Sequence, residues 1–221
     1  MGAIQLVVGV VGTPSTTDAL IKGWLEALGH TVTYVDDDAA EDTTGINGIV
    51  IADSCATGSL GTKYDLVALP VISHEGFYVD TLRMCDIEGA ATENDDSFEI
   101  VDPTHPFVNG PYGSFSGTWI WASTPTDAVY INDDTVNFGL GVTHIAVSSF
   151  VNTRKVMFAY ELGSELATGT APHRRGYFTV RDVAGPSLNA DAISVLKNIY
   201  TWAFSIPTKQ SFYTSRRRSW R

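Results

Sequence analysis

Ile4–Val10, IQLVVGV, is a nearly unbroken apolar run rich in β-branched residues, the pattern of a strand covered on both faces. A turn at Gly12–Thr17 follows it. Leu20, Ile21, Trp24, Leu25 and Leu28 then recur at helical spacing up to Gly29, which stands where a left-handed helix cap belongs. A buried strand joined by a short turn to an amphipathic helix begins a βαβ unit. Working outward, Thr31–Val35, Ile46–Ala52 and Leu66–Ser73 read as further strands, with a short helix at Gly58–Tyr64. This order predicts an α/β fold: a flavodoxin-like three-layer sandwich whose central sheet is mostly parallel.

The middle of the chain is less regular. Asp80–Met84 reads as helical and Thr92–Ser97 as a polar loop. Phe98–Val101, Gly117–Ala122, Ala128–Ile131, His144–Phe150 and Lys155–Tyr160 are β-rich runs, which predict an antiparallel extension of the sheet or hairpins at its edge. Gly176–Val180 reads as a last strand. Ser187–Phe204 carries one apolar stripe (Leu188, Ala192, Val195, Leu196, Ile199, Ala203), and Pro207 ends that helix. We divide the chain into a domain at 1–206 and an extended C-terminal tail at 207–221.

Charge sharpens that division. The 221 residues carry 14 basic and 25 acidic side chains, a formal net charge of −11. Five of the basic residues (Lys209, Arg216, Arg217, Arg218, Arg221) fall in 207–221, which holds no acid, so the tail is +5 and the domain, with 9 bases against 25 acids, is −16. Such a domain repels nucleic acid and anionic membrane. No stretch has the ~18 apolar residues of a membrane span, and the N-terminus lacks the basic start of a signal peptide. These features fit a cytoplasmic or, in a viral setting, a virion protein. Cys55 and Cys85 have no zinc or redox spacing. Cys55 reads as an exposed thiol or, more often for such a residue, a small packed hydrophobe. Asp36-Asp37-Asp38 reads as a solvated turn, and no dinucleotide or phosphate loop is complete, so no cofactor or metal is expected.

Several local motifs match a known family in order. They are Leu28–Val32 (LGHTV), Val67–Ile72 (VALPVI) with Glu75, Asp102–Pro106 (DPTHP) with Gly110, Phe158–Gly163 (FAYELG), Ala171–Arg175 (APHRR) and Tyr200–Ala203 (YTWA). Over residues 4–205 the chain resembles the trehalose-utilisation-like (ThuA-like) branch of the class I glutamine amidotransferase-like fold. The resemblance excludes the tail. It implies a cysteine nucleophile on the turn after a central strand, paired with a downstream His-x-Glu. Here the strand Leu69–Ser73 runs into His74-Glu75-Gly76, and none of the five histidines begins a His-x-Glu. Glutamine hydrolysis is therefore not expected.

The remaining candidates each carry two readings. His74 and Glu75 follow a strand's carboxyl end, where ligands bind in open α/β sheets, and could serve as acid and base on a sugar or help ligate a metal; the plainer reading is a buried Glu75 bonded to backbone amides beside a half-exposed His74. His105 either lines the same cleft or anchors a rigid turn between Pro103 and Pro106. Trp119 and Trp121 are candidates for stacking on a carbohydrate. Arg174 and Arg175 either bind an anion or, more simply in so acidic a domain, pair with carboxylates.

Two functions follow. In the first, the fold is a non-catalytic assembly subunit, forming a homo-oligomer or a larger assembly such as a virus particle. Its tail docks on acidic protein surface through Phe212, Tyr213, Arg216, Arg217, Arg218, Trp220 and Arg221. In the second, the chain binds or processes a carbohydrate in the cleft at the strand carboxyl ends.

Overall fold

The computed structural model describes residues 2–87, 89–124 and 126–205; the basic tail, with all seven of its candidate docking residues, lies outside them. β1 (Ala3–Val8) sits between β2 (Thr31–Asp36) and β3 (Gly48–Ile51), followed by β4 (Val71–Ser73), all paired in parallel. β13 (Arg175–Phe178) joins β4 in parallel, giving the order β2-β1-β3-β4-β13. Beyond β13 the sheet turns antiparallel. β12 (Arg154–Tyr160), β11 (Thr143–Ser148), β6 (Ser97–Ile100) and β9 (Gly117–Ile120) continue it to the far edge. β10 (Thr126–Asn132) joins the Arg154–Lys155 end of β12 and pairs along its length with β5 (Ala90–Asp95). A two-stranded ribbon of β7 (Asn109–Gly110) and β8 (Gly113–Ser114) stands apart. The fold is thus α/β with a mixed sheet, a parallel half and a β-rich extension.

Helix α1 (Thr16–Ala27) starts where Ser15 and Asp18 cap each other reciprocally: the Asp18 amide donates to Ser15 Oγ at 3.0 Å, and the Ser15 amide donates to Asp18 Oδ2 at 2.9 Å. It stops at Gly29, with φ 86°, as its position in the sequence implies. α3 (Ala190–Phe204) is capped by Asn189. Ile21 and Leu25 of α1 and Val195, Leu196 and Ile199 of α3 cover Leu6, Val8, Val50 and Ile72 on one face of the sheet. The alternate residues Val7, Ile49, Ile51 and Val71 face the other way, against Leu60 of the short α2 (Thr57–Leu60) and Tyr64, Tyr78 and Leu82 beyond it.

Three sequence expectations are corrected. Thr92–Ser97 is not a loop, because Thr92–Asp95 belong to β5. Its polar side chains are carried by a full ladder with β10, and its one buried acid, Asp95, accepts bonds from the Ser97 amide and Ser148 Oγ. Asp80–Met84 forms turns, with Arg83 at φ 63°, a left-handed conformation no helix continues through. The fourth strand is only Val71–Ser73; the carbonyls of Val67 and Leu69 bond to Arg175 instead of to a neighbouring strand.

Candidate functional site

The chain winds from β1 outward to β2 and then back across to β3, so the order reverses beside β1, where open α/β sheets form their crevices. The turn after β4, His74-Glu75-Gly76, stands near that point. His74 points inward. It is fully buried, with Nδ1 2.7 Å from the Phe178 carbonyl oxygen and Nε2 2.8 Å from Tyr200 Oη. A carbonyl can only accept, so Nδ1 carries the proton and Nε2 accepts from the tyrosine. Burial lowers its pKa to about 4, with the Phe178 bond opposing only in part. The expected half-exposed His74 is corrected: the ring is a core bridge between β13 and α3. Gly76 is required, because a Cβ there would lie 2.4 Å from Val129 Cγ1 and 2.8 Å from Tyr177 Oη.

Glu75 faces the other way. One oxygen accepts from the Phe77 amide at 2.7 Å. Burial, and then the carboxylate of Asp53, push its pKa up to about 8, so the side chain is mostly neutral at pH 7. Asp53, just past β3, accepts from the Asp182 amide at 3.1 Å and from Arg181 Nε at 3.4 Å, and Arg181 reaches on to Asp127. Ser54 Oγ donates to Asp18 at 3.2 Å and accepts from the Gly9 amide at 3.1 Å. Burial raises both Asp18 and Asp53 above the usual carboxylate range. The result is a cluster of crowded, largely buried carboxyls, with Arg181 pairing with Asp53 and Asp127 at its side. Asp18, Asp53, Arg181 and Asp182 escaped the sequence reading. The signal that could have found them is position, since Asp53-Ser54 and Arg181-Asp182 follow strand ends as Glu75 does.

The other candidates lie elsewhere. His105 is buried with its Nδ1 accepting from the Phe107 amide, its ring edge-on to Phe107, and Trp202 5.7 Å away. Burial brings its pKa down to about 4. It anchors a turn and does not join Glu75. Arg174 pairs with Glu161 at 3.0 Å and lies over the Trp202 ring, and Glu161 also accepts from Trp202 Nε1 at 2.9 Å. The DPTHP, FAYELG, APHRR and YTWA motifs thus meet in one structural clasp at the end of α3. Arg175 is corrected as a partner of carboxylates. It is fully buried and donates to the carbonyls of Leu69 and Val67 at 2.7 and 2.8 Å, and among the described residues it forms no ion pair with a carboxylate.

Trp119 and Trp121 are corrected as stacking platforms. Both are buried, Trp121 stacked on Phe98 at 5.0 Å and Trp119 against Phe178 at 6.1 Å, leaving no open ring face. Cys55 is a packed hydrophobe; its thiol donates to the Val7 carbonyl, and burial pushes its pKa far up, so no thiolate forms. Asp36 and Asp37 accept backbone amides of Val11 and Ala56, and among the described residues no group of histidine, cysteine and acidic side chains is arranged to hold a metal.

No family model matches the chain, and no curated protein matches it. Among solved structures it is similar to that of PurLQS from Thermotoga maritima, at 12% sequence identity and a TM-score of 0.54, covering 91% of this chain and 99% of that one. That likeness, with the mixed sheet above, places the chain in the broad class I glutamine amidotransferase-like fold.

Proposed function

We propose that this chain belongs to the ThuA-like branch of the fold, has no covalent amidotransferase chemistry, and serves as an assembly subunit that docks to neighbouring subunits through its basic tail. A virus particle is one setting for such a subunit. We read the architecture as a flavodoxin-like three-layer sandwich, with residues 57–85 as its irregular third layer. The observation that carries the proposal is His74: where an amidotransferase presents a nucleophile, this chain turns a fully satisfied imidazole into its core. The opposite charges of domain and tail support the docking. The full chain is expected to sediment as an oligomer, and the chain lacking 207–221 at the mass of a single chain. Equal oligomeric masses would contradict the proposal.

One observation favours the carbohydrate reading as a second. Glu75 holds a proton beside an ionisable Asp53, an arrangement suited to acid–base work. In that reading Glu75→Gln abolishes binding of a disaccharide such as trehalose in a folded protein, and unchanged binding, or none by the native chain, rejects it.

A further inference from the structure

We propose that the free edge of β9, with the groove on the sheet face inward of it, is the acceptor for residues 207–221 of a second copy of this chain. The inference rests on the assembly reading and names its docking surface.

β9 ends the main sheet; among the described residues it pairs as a strand with β6 alone, and at its end the Ile120 carbonyl accepts from Asn189 Nδ2 at 2.6 Å, so the open part of the edge is Thr118 and the Ile120 amide. Free edges usually carry a charge, a proline or a bulge that discourages further pairing. The other two edges fit that rule: β5 carries Glu93, paired with Arg154, and β2 ends in Asp36, with Lys22 over its Tyr34 ring. β9, Gly-Thr-Trp-Ile, has none of these, and its Ile120 is 60% exposed.

On the sheet face inward of this edge, over β11, β6 and β9, lies a cavity of about 500 Å³, lined by Glu99, Val101, Thr118, Val147, Phe150 and Asn152 among others. Phe150 is 69% and Val101 48% exposed. The loop displaying Phe150 is fastened at its base. Ser148 Oγ donates to the buried Asp95 at 3.1 Å and accepts from the Phe150 amide at 3.2 Å, and the Ser97 and Ser149 hydroxyls lie 2.9 Å apart. Among the lining residues Glu99 is the one charged group, held by Thr118 Oγ1 at 2.9 Å.

The tail has the complementary chemistry. After Pro207 it contains no proline and no acid, so its backbone can add to an edge as an extended strand. Phe212, Tyr213 and Trp220 supply aromatic surface for Phe150 and Val101. The arginines supply guanidinium groups for Glu99 and for the open Phe150 ring.

The position of the helix end makes the donor a second copy. Phe204 packs over Gly48 at the start of β3 and against His30 just before β2, in the opposite half of the sheet from β9. β4, β13, β12, β11 and β6 intervene, so crossing takes six strand spacings, about 29 Å. An extended chain spends roughly nine residues on that distance, which would strand Phe212 and Tyr213 on the way. A neighbour's edge can receive the whole segment. Donor and acceptor are then different patches, which makes the contact head-to-tail, closing into a ring or continuing as a filament.

The test compares sedimentation masses of the full chain, the chain lacking 207–221, and a full-length Glu99→Lys/Phe150→Ala variant, with amide exchange of β9 measured alongside. Phe150 is exposed and Glu99 half-buried, and unchanged melting certifies the variant. The inference expects assembly to weaken at least about ten-fold in the variant, and β9 amides to be protected only in the full chain at assembling concentration. If truncation lowers the mass but the folded variant assembles as the native chain does, this inference fails and the assembly reading stands. If truncation leaves the mass unchanged, the assembly reading fails with it. Protection of β9 in a full-length chain of single-chain mass would mean docking within one copy and overturns the head-to-tail arrangement. Should the variant melt early, β9 exchange in the native and truncated chains decides alone: equal protection overturns the inference.

Discussion

Glu75→Gln is expected to raise the stability of the chain at pH 7 by about 3 kcal/mol, on the order of 10 °C in melting temperature. The native carboxyl titrates at about 8 against an ordinary 4.5, because burial and then Asp53 disfavour its charge. Arg181 offsets this only in part, and Asp182 adds to the repulsion. Below pH 4.5 both folded and unfolded chains hold the proton and Glu75 contributes no pH dependence. Between 4.5 and 8 only the folded chain holds it, so stability falls as pH rises, and above 8 the whole penalty is present. Glutamine keeps an oxygen for the Phe77 amide and carries no charge at any pH. Melting the two proteins from pH 5 to 9 should give curves that diverge upward in pH. A variant that gains nothing at pH 8 would mean that Glu75 is solvated and ionised.

Arg175→Met is expected to cost about 3–5 kcal/mol, measured as a lower urea midpoint. Methionine replaces the aliphatic stem and leaves the Leu69 and Val67 carbonyls without their donor. Those carbonyls belong to the irregular segment before β4, so the loss falls on the entry to the His74 turn. Arg175→Lys keeps the charge but has a single ammonium where the guanidinium bridges two carbonyls, and should lose less than methionine does. A midpoint within error of the native value would contradict the role assigned to this side chain.

The parallel half of the fold was legible because its signals are local and redundant. Ile4–Val8 is apolar on both faces, and Ser15 and Gly29 bracket α1. β5 was illegible because Thr-Glu-Asn-Asp spends its backbone, not its side chains, on the sheet, and nothing in those residues announces the ladder with β10. Trp119 and Trp121 misled for a related reason: an aromatic on a short strand looks the same whether it faces a sugar or Phe98 and Phe178. The short motifs DPTHP, FAYELG, APHRR and YTWA have structural roles in this fold. His105, Glu161, Arg174 and Trp202 are distant in sequence and form one clasp. The absence of a Cys and His-x-Glu pair was readable directly, whereas the inward direction of His74 depends on Phe178 and Tyr200, more than a hundred residues away.

Nitrogen-detected NMR of the histidine rings reads that inward direction. His74 is expected as a neutral tautomer protonated at Nδ1, with shifts nearly constant between pH 8 and pH 5. A His74 ring that titrates near the ordinary 6.5, with both nitrogens open to water, would contradict it and make His74 itself available for chemistry.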